Sequence, residues 1–162
     1  MSLIRILSMA LAVFLIDRVL KIWIVEWMDL RNLYVIDVWP PYLSLHMAWN
    51  EGINFGLFGS GSDITKWLLV GIGALISLLL LIWFRKARGF WLQLSVAMVV
   101  GGALGNIIDR LIYGAVADFL NTSCCGIENP FAYNVADIAI FLGVVGLVFL
   151  DEKKPPRKKR KG

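Results

Sequence analysis

Three short stretches carry groups that could do chemistry. They are "GGALGNIIDR" (101–110), "VADF" (116–119) and "YNVAD" (133–137). Between them they supply Asn106, Asp109, Arg110, Asp118, Asn134 and Asp137. Two carboxylates brought into contact cannot both ionise easily, so they share one proton. Such a pair hydrolyses amides. The ionised member takes a proton from water, and the protonated member gives one to the leaving nitrogen. Asp118 and Asp137 are the candidates for that pair. Other hydrolytic sets lack their parts. His46 is the only histidine, and a lone histidine is more often structural or surface than catalytic; HExxH is absent, and a Ser–His dyad in the membrane would need a histidine within a helix, where there is none. Cys124 and Cys125 are adjacent, have no evident base, and as neighbours rarely reach disulfide geometry.

The elements that must position these groups are apolar. Of 162 residues, 59% are hydrophobic and only 17% charged, with mean hydropathy +0.73. Uncharged runs approach the ~20 residues that cross a bilayer as a helix. The composition therefore predicts an all-α integral membrane protein, a single domain over residues 1–152. Four helices follow from the runs at about 3–27, 67–84, 90–113 and 133–150. A strand pair or small sheet is predicted in the outer segment 28–66, where "LYVIDVW" and "LSLHMAW" flank a Pro-Pro step. The segment 114–132 reads as a shorter outer loop.

The net charge is +4, but its distribution argues against nucleic acid as a partner. Arg85, Lys86 and Arg88 fill one short loop, and the tail 153–162 is basic. The bias of Lys and Arg toward the cytoplasm puts both clusters, and both termini, on that side. The tail is expected to be disordered and to touch anionic headgroups.

Depth then follows at ~1.5 Å per helical residue. Asp17 lies ~20 Å from the cytoplasmic entry, Asn106 lies ~24 Å in, and Asp109 and Arg110 lie near the outer boundary. Asn134 and Asp137 occupy the first turns of the last helix. Each intramembrane charge costs roughly 2.5–3.5 kcal/mol on insertion scales, so a cluster at one depth needs a reason. Asn106, Asp109 and Arg110 share a face, as do Asn134 and Asp137, and Asp17 pairs with Lys21. Gly101 and Gly105 form a small-xxx-small pair that admits another helix, and the outer ends of the third and fourth helices are expected to meet there.

At these motifs the chain resembles the lipoprotein signal peptidases, also called signal peptidase II, over nearly its whole length. The resemblance implies Asp118 and Asp137 as the catalytic pair of an intramembrane aspartic endopeptidase. It implies Asn50 and Gly52 of "WNEGINFG", Asn106, Arg110 and Asn134 as supports of substrate or dyad, with Asp17 and Asp109 as the family's further polar positions. It implies cleavage of diacylglyceryl-modified prolipoproteins just before the lipid-bearing cysteine. It also implies the bacterial inner membrane, an active site near the outer leaflet, and no metal or organic cofactor. The loop 50–61 is expected to hold the lipid-bearing end, and the chain to be a monomer in contact with membrane lipid. Three positions depart from the family pattern: Asn54 stands for an alanine, Tyr133 for a phenylalanine, and "CC" lies in the outer loop. Two other classes fit membrane carboxylates, a proton or ion carrier and a non-catalytic assembly subunit. Beyond Arg5 at the cytoplasmic entry, the inner halves of the predicted helices carry no ionisable group, which counts against a conducting path.

Overall fold

The computed structural model describes residues 2–52, 63–127 and 129–151. The loop 53–62 with Asn54, and the basic tail, lie outside them, as do the expectations placed there. The described chain is mostly helical. The elements run α1 (Ser2–Lys21), a π-helical segment (Ile22–Trp27), α2 (Leu30–Leu33), β1 (Val35–Trp39), β2 (Leu43–Asn50), α3 (Asp63–Phe84), α4 (Phe90–Tyr113), β3 (Val116–Thr122) and α5 (Val135–Asp151).

Two helices, α3 and α4, are long and apolar enough to cross a membrane, and residues 135–150 form a shorter apolar helix. The burial pattern is the reverse of a water-soluble bundle. On α1 the buried residues are Ile6, Ala10, Asp17 and Lys21, while Leu7, Leu11, Leu15 and Val19 are exposed. α3 buries only Ser77 and exposes Leu68, Leu75, Leu78 and Leu79, with Leu80 and Leu81 half-buried against the core. Polar groups inside and branched apolar groups outside suit a hydrocarbon solvent.

α4 is the centre, and glycines set its neighbours' distances. A Cβ on Gly101 would lie 2.5 Å from the Ala10 carbonyl oxygen of α1, and one on Gly102 would lie 2.6 Å from that of Ala136 on α5. A Cβ on Gly105 would meet Asp17 Oδ2 at 2.5 Å. The Gly101–Gly105 pair thus admits chiefly α1, not the last helix. Gly102, outside that pair, is the residue that seats α5. Backbone carbonyls cannot rotate away, so Gly102→Ala is expected to cost about 1–3 kcal/mol through overpacking. A thermal shift in detergent no larger than that of an exposed Gly71→Ala control would refute this contact.

The sheet has the order β1-β2-β3, antiparallel throughout. The predicted outer strands are present, and the segment 114–132, read as a loop, adds a third. Gly114 ends α4 in the left-handed conformation (φ 81°), its N–H bonded to the Arg110 carbonyl at 3.1 Å. The chain then turns directly into β3, whose Ala117 and Phe119 pack with Ile24, Val25, Leu30 and Leu45. The first helix, expected to run unbroken to Trp27, changes to π-helical winding at Ile22, where this apolar cluster begins.

Candidate active site

α5 begins with a reciprocal cap. Asn134 Oδ1 accepts the N–H of Asp137 at 2.9 Å, and Asp137 Oδ2 accepts the N–H of Asn134 at 3.2 Å. This is the capping-box arrangement with Asn and Asp in place of Ser and Glu. The cap holds Asp137 at the positive end of a helix. Asp17 reaches over from α1 and accepts the Ala136 N–H at 3.1 Å, satisfying a further orphan donor.

The cap also fixes what the Asn134 amide does next. With Oδ1 engaged, Nδ2 faces Asp118 and donates to its Oδ1 at 2.6 Å. Asn50, at the end of β2, donates to Asp118 Oδ2 at 3.0 Å. Asn106 donates to Asp137 Oδ1 at 2.8 Å. All four carboxylate oxygens of Asp118 and Asp137 therefore accept a hydrogen bond. Among the described residues, Asn134 is the one hydrogen-bonded to both. The cross-strand pairing of Asp118 with Ala48 delivers that carboxyl from the sheet, whereas Asp137 comes from a helix.

Burial, and then the negative charge of Asp137, push the Asp118 carboxyl up to about 6, against the lowering effect of the bonds from Asn50 and Asn134 and of the Lys21 charge. Gly52, at φ 109°, turns the chain after β2, and its N–H binds Asn50 Oδ1 at 3.0 Å, which orients the Asn50 amide.

Asp17 and Asp109 do not face the pair. Both are fully buried, in an ionic cluster with Arg18 and Lys21. Lys21 Nζ lies 2.6 Å from Asp109 Oδ2 and 3.0 Å from Asp17 Oδ2, and Arg18 pairs with Asp109 Oδ1. Two cations and two anions balance. The cluster touches the site twice. Lys21 donates to Asn106 Oδ1 at 3.3 Å, and Asp109 Oδ2 accepts the N–H of Ala117, next to Asp118, at 3.3 Å. Arg18 and Lys21 are absent from the sequence-derived site, although the Asp17–Lys21 spacing carried the signal. Arg110 bonds only back to its own helix among the described residues, Nη1 to the Asn106 carbonyl at 3.3 Å. His46 hydrogen-bonds Ser44 on β2 at 3.1 Å, with no partner from the site among the described residues.

Apolar helices around a buried polar centre define a helical membrane enzyme, and solved structures agree. Two bacterial membrane enzymes determined by the in meso method match the fold. The one at 2.3 Å resolution has TM-score 0.75 and 28% identity, covering 98% of this chain and 93% of its own. The one at 1.9 Å has TM-score 0.76 and 26% identity, covering 93% and 94%. The model of the signal peptidase (SPase) II family matches residues 9–151, and the chain belongs to that family. The lipoprotein signal peptidase of Methylorubrum extorquens is 37% identical over 90% of this chain and 83% of that protein. That of Pelagibacter ubique is 35% identical over 94% and 92%.

Proposed function

We propose that this protein removes the signal peptides of lipid-modified prolipoproteins as an intramembrane aspartic endopeptidase, with Asp118 and Asp137 as its catalytic pair. Membership of the signal peptidase II family supports the substrate class. The observation that carries the chemistry is the bridging of both carboxyl groups by Asn134, its side-chain amide on Asp118 and its backbone N–H on Asp137. In this reading four spans cross the bacterial inner membrane: α1 with its π-helical end, α3, α4 and α5. Both termini are cytoplasmic, and the pair faces the outer leaflet beneath the sheet. The substrate arrives laterally, already anchored, so its scissile bond comes to the depth of the pair. The protein works as a monomer in contact with membrane lipid.

Asp118 holds the shared proton, since burial and its neighbour's charge favour its neutral form. Asp137 is the member assigned to act as base, its oxygens accepting from Asn106 and from the Asn134 N–H at the helix end. Asp137 takes a proton from water as the water oxygen attacks the scissile carbonyl carbon. Asp118 gives its proton to the leaving amide nitrogen as the C–N bond breaks. The proton gained by Asp137 then restores the shared state. The Arg110 guanidinium, beside the pair on the Asn106 face, is placed to meet substrate carbonyl oxygens.

The pH dependence follows with a definite sign. The raised Asp118 group keeps its proton up to about 6 and loses it above. Cleavage (as kcat/KM) is expected to fall as pH rises through that value, which sets the alkaline limb. The same shift makes the fold itself more stable below the ordinary carboxylate range than above 6. Asn50→Ala removes a bond that favours the charged form, so the alkaline limb should move upward. A limb that stays put in this variant, or moves down, argues against Asp118 as the proton donor.

A further inference from the structure

Beyond β3 the chain enters a loop whose tip carries both of its cysteines, Cys124 and Cys125. Neighbouring cysteines rarely form a disulfide, partly because successive side chains of an extended chain point to opposite faces. The turn here removes that obstacle. The Ile127 N–H donates to the Cys124 carbonyl at 2.9 Å and closes a turn. Both of its central residues have positive φ, 61° at Cys125 and 80° at Gly126, the pattern of a type I′ turn. Turn chemistry favours Asn, Asp or Gly at the first of these positions. A left-handed cysteine costs about 1–2 kcal/mol there, so the turn alone does not explain the residue.

The left-handed Cys125 brings both sulfurs to one side, with Sγ 2.8 Å from Sγ. Bonded sulfurs lie about 2.05 Å apart, so closing the bond needs a sub-ångström movement and no change of fold. Both thiols are free and exposed. The base of the loop is held without them. Asn121 Nδ2 donates to the carbonyls of Asn129 at 2.7 Å and Phe131 at 3.1 Å, and the Asn129 N–H donates to Ser123 Oγ at 3.0 Å. The pair is therefore presented to solvent on a turn that is already formed.

We infer that Cys124 and Cys125 are a reversible redox site, closing to a vicinal disulfide by exchange with a small-molecule or protein disulfide. One thiolate of the pair attacks a sulfur of the donor, forms a mixed disulfide and expels one donor thiolate. The other thiol loses its proton and attacks the chain's own sulfur in that mixed disulfide, expelling the second donor thiolate. The pair gives up two electrons and two protons, and the donor becomes two thiols. Adjacent Cα atoms lie about 3.8 Å apart, short of the roughly 4.4–6.8 Å of ordinary disulfides, so the closed ring is strained and readily reduced. The membrane reading puts this loop on the outer side, where disulfides persist. The carboxylate pair takes no part.

The test uses the full chain in detergent, first reduced, then incubated with glutathione disulfide, quenched in acid and alkylated with iodoacetamide. Intact mass then counts the adducts, and with only these two cysteines in the chain each adduct has one of two addresses. The parent should carry neither alkyl nor glutathione groups and weigh two hydrogens less than the reduced chain. Excess reduced glutathione should return both thiols, which then alkylate. Cys125→Ser and Cys124→Ser should each keep one glutathione, because nothing is left to resolve the mixed disulfide. Both variants replace exposed residues and should melt with the parent, so the adducts report the thiols and not the fold. A parent chain that keeps glutathione, or alkylates at both thiols after the oxidant, overturns the proposal. So does a disulfide-linked dimer on a non-reducing gel, or a bond that survives excess reduced glutathione. The adduct count needs no substrate, so it stands or falls apart from the cleavage reading.

Discussion

Asp118→Asn and Asp137→Asn are each expected to lower cleavage of a diacylglyceryl-modified precursor by roughly 10⁴-fold, the upper range for loss of a general acid or base. The fold should survive. An asparagine keeps the shape and retains one acceptor, so Asp118→Asn keeps either the bond from Asn50 or the bond from Asn134 and places an NH₂ against the other. One mismatched bond costs about 1–3 kcal/mol, which a melting curve in detergent would register as a shift and not a collapse. The two variants also separate the competing classes. A carrier would lose ion flux with cleavage never present, and an assembly subunit would lose its partners or its stability. An Asn variant that still cleaves within about tenfold of the parent rate would leave the pair without its assigned chemistry.

Lys21→Met should have the largest effect on stability. Lys21 is 3% exposed and sits between the carboxylates of Asp17 and Asp109. Its removal leaves Arg18 alone to balance two buried anions. Breaking a buried ion pair from one side costs about 3–5 kcal/mol, and methionine fills the volume without replacing the charge. The damage should spread, because Asp17 caps α5 at Ala136 and Asp109 holds β3 at Ala117. A second measurement separates charge from packing. The Lys21 charge holds Asp118 down, so in whatever fraction folds, the alkaline limb of cleavage should rise. Lys21→Arg keeps the charge and should restore the limb before it restores the melting temperature. A Lys21→Met protein that melts with the parent would show that the cluster bears no weight in the fold.

Much of the site was legible because the membrane makes polar residues conspicuous. Asn106, Asp109 and Arg110 end a run that is otherwise uncharged from Gly89, and their spacing puts them on one face. The helices were legible for the same reason, with α4 bounded as the apolar run suggests. What was hidden depended on contacts between elements. β3 is seven residues with an aspartate in the middle, a weak strand signal until β2 pairs with it. The π-helical winding after Lys21 has no local sequence mark. Gly102 looked like its neighbours until α5 lay against it. The carboxylates of Asp17 and Asp109 looked alike in charge and depth to those of Asp118 and Asp137. Only the placement of Arg18 and Lys21 sorts them into a neutralised cluster and a pair held by amides alone.

Asp118 and Asp137 are brought to Asn134 from a strand and a helix that fold by different rules. Until the sheet seats on the end of α4, neither side chain has its counterpart. In the proposed mechanism a copy whose sheet has not seated on the helices holds the two carboxyl groups apart, so competence to cleave waits on that contact.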